Sequence, residues 1–300
     1  MEENNTHEPS LRWNIAQRLE FIEFRLVWEG RVNRADVAER FNVTVQQASG
    51  DIGLYEAQAP ENITYDRNAK RFVPAATFRP KFLHEASNRH LLQLAAIGNG
   101  LIDASETWFQ ELPPMGVVQI PQRSVSTITM RWILEAIRTG SQLNIEYQSV
   151  NRAENAVRTI EPHALGYDGA RWHVRAYCVR NNDFRDFVLA RIIEAKPLGA
   201  RIVDPQVDRE WFDEVDLVLA PNPELPESAR RGLAREYGMS RGRLHIPTRV
   251  ALAFYLIQHL NLDLKLPPRR QQLVLVNMEK VEEACAKAQE ATRNALGGSE

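Results

Sequence analysis

The sequence predicts an α+β protein built of several domains, and three observations carry that reading. A chain of 300 residues is about twice the usual length of a single domain. Its first 77 residues read as helix, short turn, helix and hairpin, the pattern of a winged helix-turn-helix. Residues 142–198 then switch to period-two alternation, and the chain beyond Pro205 mixes strand-like with helix-like stretches. The expected divisions are a winged head over 11–77, a helical connector over 78–140, a strand-rich domain over 141–200 and a small α+β unit over 205–296.

Residues 11–29 place Ile15, Leu19, Ile22 and Leu26 at helical spacing, and Gly30 ends the run. Asn33 is suited to cap a second helix over 34–41. Thr44 is suited to cap a third that runs to about Ala57, with only Asn42 and Val43 between them. Ala38 and Val43 are small or apolar where the two helices must cross closely. Residues 63–74 alternate and break at 66–69, so they read as the wing hairpin. From Phe78 to about Gly140 the pattern is mainly helical, punctuated by Pro113, Pro114 and Pro121.

In the strand-rich stretch Leu143, Ile145 and Tyr147 alternate with Asn144, Glu146 and Gln148. Trp172, Val174, Ala176 and Cys178 alternate with His173, Arg175, Tyr177 and Val179. Turn formers at 151–154, Asp168-Gly169 and 181–183 separate the strands, which implies a compact antiparallel sheet or a small barrel. On this phase Trp172 belongs to the core. Further on, strands are expected at 217–220 and 273–276 and helices at 228–237, 249–260 and 279–295. Val250, Ala253, Phe254, Ile257 and their neighbours make an apolar face that serves either core packing or, in part, an interface.

Composition removes several function classes. With 44% hydrophobic and 25% charged residues the chain is ordinary globular protein, not disordered. No run approaches the roughly 18 apolar residues of a membrane span, and residues 1–10 lack an export signal, so the expected compartment is the cytoplasm. Cys178 and Cys285 lie far apart and form neither a disulfide framework nor a zinc knuckle. His84-Glu85 begin like a zinc protease motif, but Asn88 stands where the second His is needed. Gly98-Asn99-Gly100 lacks the third glycine of a dinucleotide site. No cofactor, no metal and no enzyme activity are expected.

The helix-turn-helix carries the first candidate chemistry. Thr44, Gln46, Gln47 and Ser49 put uncharged hydrogen-bonding groups on the first turns of the third helix, where a recognition helix reads base edges and Gln pairs with adenine. Arg67, Lys70 and Arg71, beside Tyr65 and Phe72, suit phosphate contact or entry into a minor groove. The competing reading is a three-helix packing module of a protein-interaction domain.

Four strings in the strand-rich stretch resemble one known family, the WYL-domain transcriptional regulators. They are Ile145-Glu146-Tyr147, Glu161-Pro162-His163-Ala164-Leu165, the run from Arg171 to Cys178, and the run from Phe184 to Ile192. Trp172-His173-Val174 stands at the eponymous triplet and keeps only its Trp. Phe187-Val188-Leu189-Ala190-Arg191-Ile192 stands for the usual F-R-L-D-R-I and lacks an Arg and an Asp. This variant is similar to the subgroup that regulates bacterial phage-defence operons, such as those of BREX and cyclic-oligonucleotide (CBASS) systems. The resemblance covers nearly the whole chain. It implies an Sm-like β-barrel sensing a nucleic-acid or nucleotide effector, between a DNA-binding head and a C-terminal dimerisation domain. It further implies a homodimeric repressor on an inverted-repeat operator.

The residues fit a ligand face of that kind. If 184–192 is one strand, Arg185 and Arg191 share the parity of Phe187 and Leu189, so two guanidinium groups flank an apolar pair. Tyr147, Ser149, His163 and Tyr177 add hydroxyl, imidazole and stacking groups. The competing reading is a structural Arg paired with Glu161 or Glu146, plus core aromatics. A second functional class stays open as well: a regulator of a defence effector that does not bind DNA, its winged helix docking protein and its barrel binding RNA or nucleotide.

Overall fold

The computed structural model describes residues 13–83, 86–150 and 155–297. His84-Glu85, the loop at 151–154 and the start of the first expected helix lie outside the described residues. The chain forms two compact units, divided after Pro121.

In the first unit, α1 (Trp13–Glu29), α2 (Arg34–Phe41) and α3 (Val45–Gln58) precede the hairpin β1 (Ile63–Asp66) and β2 (Arg71–Pro74), followed by α4 (Ala86–Gly98). The caps are those the sequence predicts. Asn33 Oδ1 accepts from Asp36 N, and Asp36 Oδ2 accepts from Asn33 N, a reciprocal capping box. Asn42 ends α2 in the left-handed region at φ 50°, which Asn tolerates. Leu19, Ile22 and Leu26 of α1 pack with Val37, Ile52 and Tyr55 as the core. Val32 bridges to Phe72 through two backbone hydrogen bonds, which ties the turn before α2 to the wing.

Two buried polar links hold the head together. Arg18 Nε and Nη2 donate to the two oxygens of Asp51 (2.6 and 3.1 Å), locking α1 to α3. Glu23 accepts from Tyr55 Oη and from the backbone N of Lys81, Phe82 and Leu83. Burial, with the Glu23 carboxylate beside it, pushes the Tyr55 hydroxyl well above the usual phenol range, so it stays a donor. The connector is less helical than expected: residues 107–126 carry neither helix nor strand, and Trp108 packs edge-on against Phe21 and Phe24.

The second unit opens with α5 (Thr127–Thr139), capped by Ser126 and ended by Gly140 at φ 67°. β3 (Ser141–Tyr147), β4 (Ala156–Tyr167), β5 (Trp172–Cys178), β6 (Asp183–Val188) and β7 (Ile192–Ala200) form an antiparallel sheet in the order β6-β5-β4-β3-β7. Leu143, Ile145, Ile160, Val174, Ala176 and Cys178 line one face and pack on Ile133 and Ala136 of α5, a helix within the segment read as connector. Among the described residues β6 and β7 share no ladder, so the sheet is open and the closed Sm-like barrel is not seen.

Two expectations are corrected here. The stretch 184–192 is not one strand: β6 stops at Val188 and a 3₁₀ turn, Leu189–Arg191, leads into β7. The parity that joined Arg185 to Arg191 therefore does not hold. Trp172 is 52% exposed instead of buried: it starts β5 opposite Tyr167, leans on that ring at 5.0 Å, and lies outside the cluster packed on α5.

The chain continues through α6 (Arg209–Phe212), β8 (Glu214–Pro221), α7 (Glu227–Glu236), β9 (Leu244–Arg249), α8 (Val250–His259), β10 (Leu273–Leu275) and α9 (Met278–Gly297). The three strands form an antiparallel sheet in the order β10-β8-β9, with Leu217, Val250, Ala253, Val281 and Ala288 in its core. β9 escaped the sequence reading because Pro247 interrupts it, and an edge strand is where Pro is tolerated. On α8, Val250 and Ala253 are buried while Phe254 is 59% exposed. Among the described residues no helix is long and apolar enough to cross a membrane.

Candidate nucleic-acid interface and sheet faces

Helix α3 divides cleanly. Ala48, Asp51, Ile52 and Tyr55 are buried against the head, while Val45, Gln46, Gln47, Gly50 and Gly53 are exposed. Thr44 Oγ1 accepts from Gln47 N (3.1 Å), and Ser49 Oγ donates to the Val45 carbonyl (2.9 Å). Those two hydroxyls are committed to the helix, so the free hydrogen-bonding groups at its start are the Gln46 and Gln47 amides. Val45, 57% exposed, and the two glycines were not singled out from sequence. The available signal was their spacing from Gln46 on a helix whose opposite face is apolar.

The wing presents Arg67 and Lys70 at its exposed tip. Asp66 Oδ1 accepts from Ala69 N (3.0 Å) and Asn68 N (2.9 Å), and these backbone donors hold its carboxyl below the usual range. Lys70 takes a left-handed φ of 50° to close the turn. Arg71 is placed differently: its Nε is buried without a partner, and the side chain lines a pocket of about 630 Å³ with Trp28, Glu29 and His90. Arg34 of α2, not anticipated, lies over the Tyr65 and Phe72 rings at 5.9 and 5.3 Å.

The six side chains proposed for the sheet are not brought to one place. Tyr147 belongs to the α5 side, edge-on to Phe187 at 5.2 Å, and its Oη accepts from Val188 N. Arg191 lies at the same end, where its carbonyl accepts from Gln148 N, and Ser149 follows one residue later. Arg185 is exposed on edge strand β6, 4.0 Å from Asp183. His163 and Tyr177 point to the opposite face, both edge-on to Phe184 at 5.5 Å. His163 is the extra residue of a bulge between Pro162 and Ala164, which turns its ring out of the ladder. Its side chain is buried, and its Nε2 bonds Asp208 at 2.9 Å. The Tyr177 hydroxyl bonds Asn182.

On that opposite face the structural arginine is Arg175. Its Nε and Nη2 donate to Asp208 (2.8 and 2.9 Å), Nη2 also reaches Glu210 (3.0 Å), and Nη1 stands 3.6 Å from Asp186. Tyr255 Oη donates to Asp186, and the His173 ring, leaning on Tyr255, bonds Asp168. Burial alone would lower the Arg175 pKa, but the Asp208 hydrogen bonds and three carboxylates drive it above the usual arginine value. Among the described residues Glu161 does not pair with an arginine. It accepts from Gln142 Nε2 and from the backbone N of Ile202 and Val203.

Burial would raise the Asp208 carboxyl, yet the Arg175 and His163 bonds outweigh it and hold the pKa below its ordinary value. Asp168 is depressed likewise, by His173 and by the backbone N of Ala170 and Arg171. Depressed carboxylates add stability that is complete above their unfolded pKa of about 3.9 and is lost as pH falls through the folded value. Acid unfolding of the protein, followed by circular dichroism, is expected to set in below about pH 4. Asp208→Asn should flatten that limb; an unchanged acid profile would show that Asp208 contributes nothing to it.

The chain matches three family descriptions in succession. Residues 14–96 match the BrxR transcriptional regulator winged helix-turn-helix domain, 129–197 the WYL domain, and 214–281 the BrxR transcriptional regulator C-terminal dimerization domain. The DNA-binding transcriptional repressor CapW of Stenotrophomonas maltophilia is 36% identical over 277 residues, covering 91% of this chain and 93% of its own. CapW of Pseudomonas aeruginosa is 34% identical over 275 residues, covering 91% and 92%. CapW of Escherichia coli (strain KTE188) is 32% identical over 273 residues, covering 90% and 91%. All three are named as DNA-binding transcriptional repressors. With a winged helix-turn-helix, a WYL domain and a dimerization domain in this order, the chain belongs to the BrxR/CapW family of WYL-domain transcriptional regulators.

Proposed function

We propose that the protein is a homodimeric, DNA-binding transcriptional repressor of a phage-defence operon, working in the cytoplasm on an inverted-repeat operator. The observation that carries this reading is the exposed start of α3. The side-chain amides of Gln46 and Gln47 have no partner there among the described residues, on a helix locked to the head by Arg18 and Asp51. The names of the CapW relatives support DNA as the partner, and the family's dimerization domain supports the homodimer. In this reading Thr44 and Ser49 position the helix, while Val45, Gln46 and Gln47 face the base edges. Arg67 and Lys70 hold phosphates and Arg71 steadies the wing. The domains are read as 11–77, 78–140, 141–200 and 205–296.

A two-fold dimer sets its two recognition helices about one helical turn, or a multiple, apart on DNA. The test is sedimentation of the free protein together with a gel shift on DNA from upstream of its own gene. A dimer that protects two symmetric half-sites is the expected result; a monomer bound to a single half-site overturns it.

Gly50 supplies a second check on α3. A Cβ there meets nothing within 4 Å, so Gly50→Ala should stabilise the free head by roughly 0.5–1 kcal/mol through helix propensity. If the helix backbone seats in the groove, the same variant binds the operator more weakly. Higher melting temperature with unchanged operator affinity would turn that face away from DNA.

For effector sensing, we place a nucleic-acid or nucleotide ligand at the sheet end where Tyr147, Ser149 and Arg191 gather, with Arg185 along the edge strand. His163 and Tyr177 act from the opposite face, through the Arg175 cluster. Such a ligand releases operator only by binding the DNA-incompetent dimer more tightly. Arg191→Ala should leave melting temperature and repression intact and abolish induction in a reporter assay. A variant that still induces normally takes Arg191 out of the site.

A further inference from the structure

We propose that the C-terminal domain carries a binding site for a phosphorylated ligand of nucleotide size, on the face formed by α7, the turn before β9, and β10. The site is a concavity of about 830 Å³, within the range of small-molecule pockets. Arg230 and Arg231 line it from α7, and Arg241 and Arg243 line it from the turn. Glu227 is the carboxylate in that lining, and it is engaged by Arg231 at 2.5 Å. Arg230, Arg241 and Arg243 have no acidic partner among the described residues, in a chain whose formal net charge is -2. Pro221, Val274 and Val276 supply an apolar floor. Guanidinium forks over an apolar floor fit phosphate groups attached to a flat, weakly polar body.

The turn adds a second observation. Ser240 and Arg243 exchange both backbone hydrogen bonds (3.0 and 2.9 Å), and the two residues between them have positive φ, 50° at Arg241 and 70° at Gly242. This is the mirror-image hairpin turn, whose first central position favours Asn, Asp or Gly. An arginine there stands against backbone preference, and the rigid turn holds Arg241 and Arg243 at the rim. A two-fold contact centred on this patch would set its arginines against their own copies, and like charges directly opposed are repelled.

Neither Arg185 nor Arg191 lines this concavity, so its test is separate from that of the sheet-end reading. The full-length protein is titrated, by fluorescence anisotropy at physiological salt, with a labelled nucleoside triphosphate and with a short labelled single strand bearing a 5′-phosphate. Inorganic pyrophosphate serves as competitor. Saturable binding displaced by pyrophosphate is expected. Arg230→Gln combined with Arg243→Gln should weaken it roughly tenfold or more, since hydrogen bonds to charged groups are lost. Arg241→Asn, which suits the turn, should weaken it with melting temperature and operator affinity unchanged. Tighter binding of the triphosphate identifies a free nucleotide as the ligand, and tighter binding of the strand identifies a nucleic-acid end. The proposal is overturned if neither probe binds below millimolar concentration. It is equally overturned if the arginine variants bind as well as the parent, or if binding is lost only with Arg185→Gln and Arg191→Gln.

Discussion

Asp208→Ala is expected to destabilise the second unit by about 3–5 kcal/mol, the usual cost of removing one partner from a buried ion pair. At roughly 2–4 °C per kcal/mol for a unit of this size, its melting temperature should fall by roughly 6–20 °C. Asp208 is fully buried, and its two oxygens receive Arg175 Nε, Arg175 Nη2 and the His163 ring. Without it Arg175 keeps Glu210 at 3.0 Å and the more distant Asp186, while His163 loses its partner. The loss is one of pairing more than of volume. A double variant, Arg175→Met with Asp208→Leu, should therefore recover much of the stability, because apolar side chains of similar size avoid the desolvation of both charges. Calorimetry on the three proteins decides it. A single variant that melts like the parent would show that the cluster is solvated and without structural weight. The cluster joins β4 and β5 of the sheet to α6 and, through Tyr255, to α8. Operator affinity of the double variant thus also reports whether this polar junction matters for regulation.

Gln46→Ala or Gln47→Ala is expected to lose about 1–3 kcal/mol on the cognate operator and little on random DNA, since base-edge contacts carry discrimination. Arg67→Ala and Lys70→Ala should weaken both DNAs alike and each reduce the slope of affinity against salt by about one ion. The division follows from placement: the glutamines open a helix fixed to the head, and the cations ride a hairpin tip. Arg71→Ala should have the smallest salt effect of the three wing variants, because its Nε is buried and its side chain lines the same pocket as Trp28. Anisotropy on both DNAs at several salt concentrations separates the classes. Equal losses on both DNAs for all five variants would mean that α3 is not the reading helix.

Much of this was legible in the sequence, where the determinants are local. The head could be read because each boundary is marked by a residue acting on its neighbours: Gly30, the Asn33 cap with Asp36, Asn42 in the left-handed region, and Thr44 over Gln47. The strings around Tyr147, Trp172 and Phe187 identified the family for the same reason, since they are contiguous. Only the tertiary structure decided which side chains meet. A bulge at His163, a 3₁₀ turn at Leu189–Arg191 and the exposed start of β5 at Trp172 each break the simple period-two rule. Period two assumes an unbroken ladder with one covered face. The pairing of Arg175 with Asp208 spans 33 residues. The C-terminal arginine face joins a helix, a turn and a strand some forty residues further on. No local rule links such positions, because their proximity arises from packing of whole elements and not from the spacing along the chain.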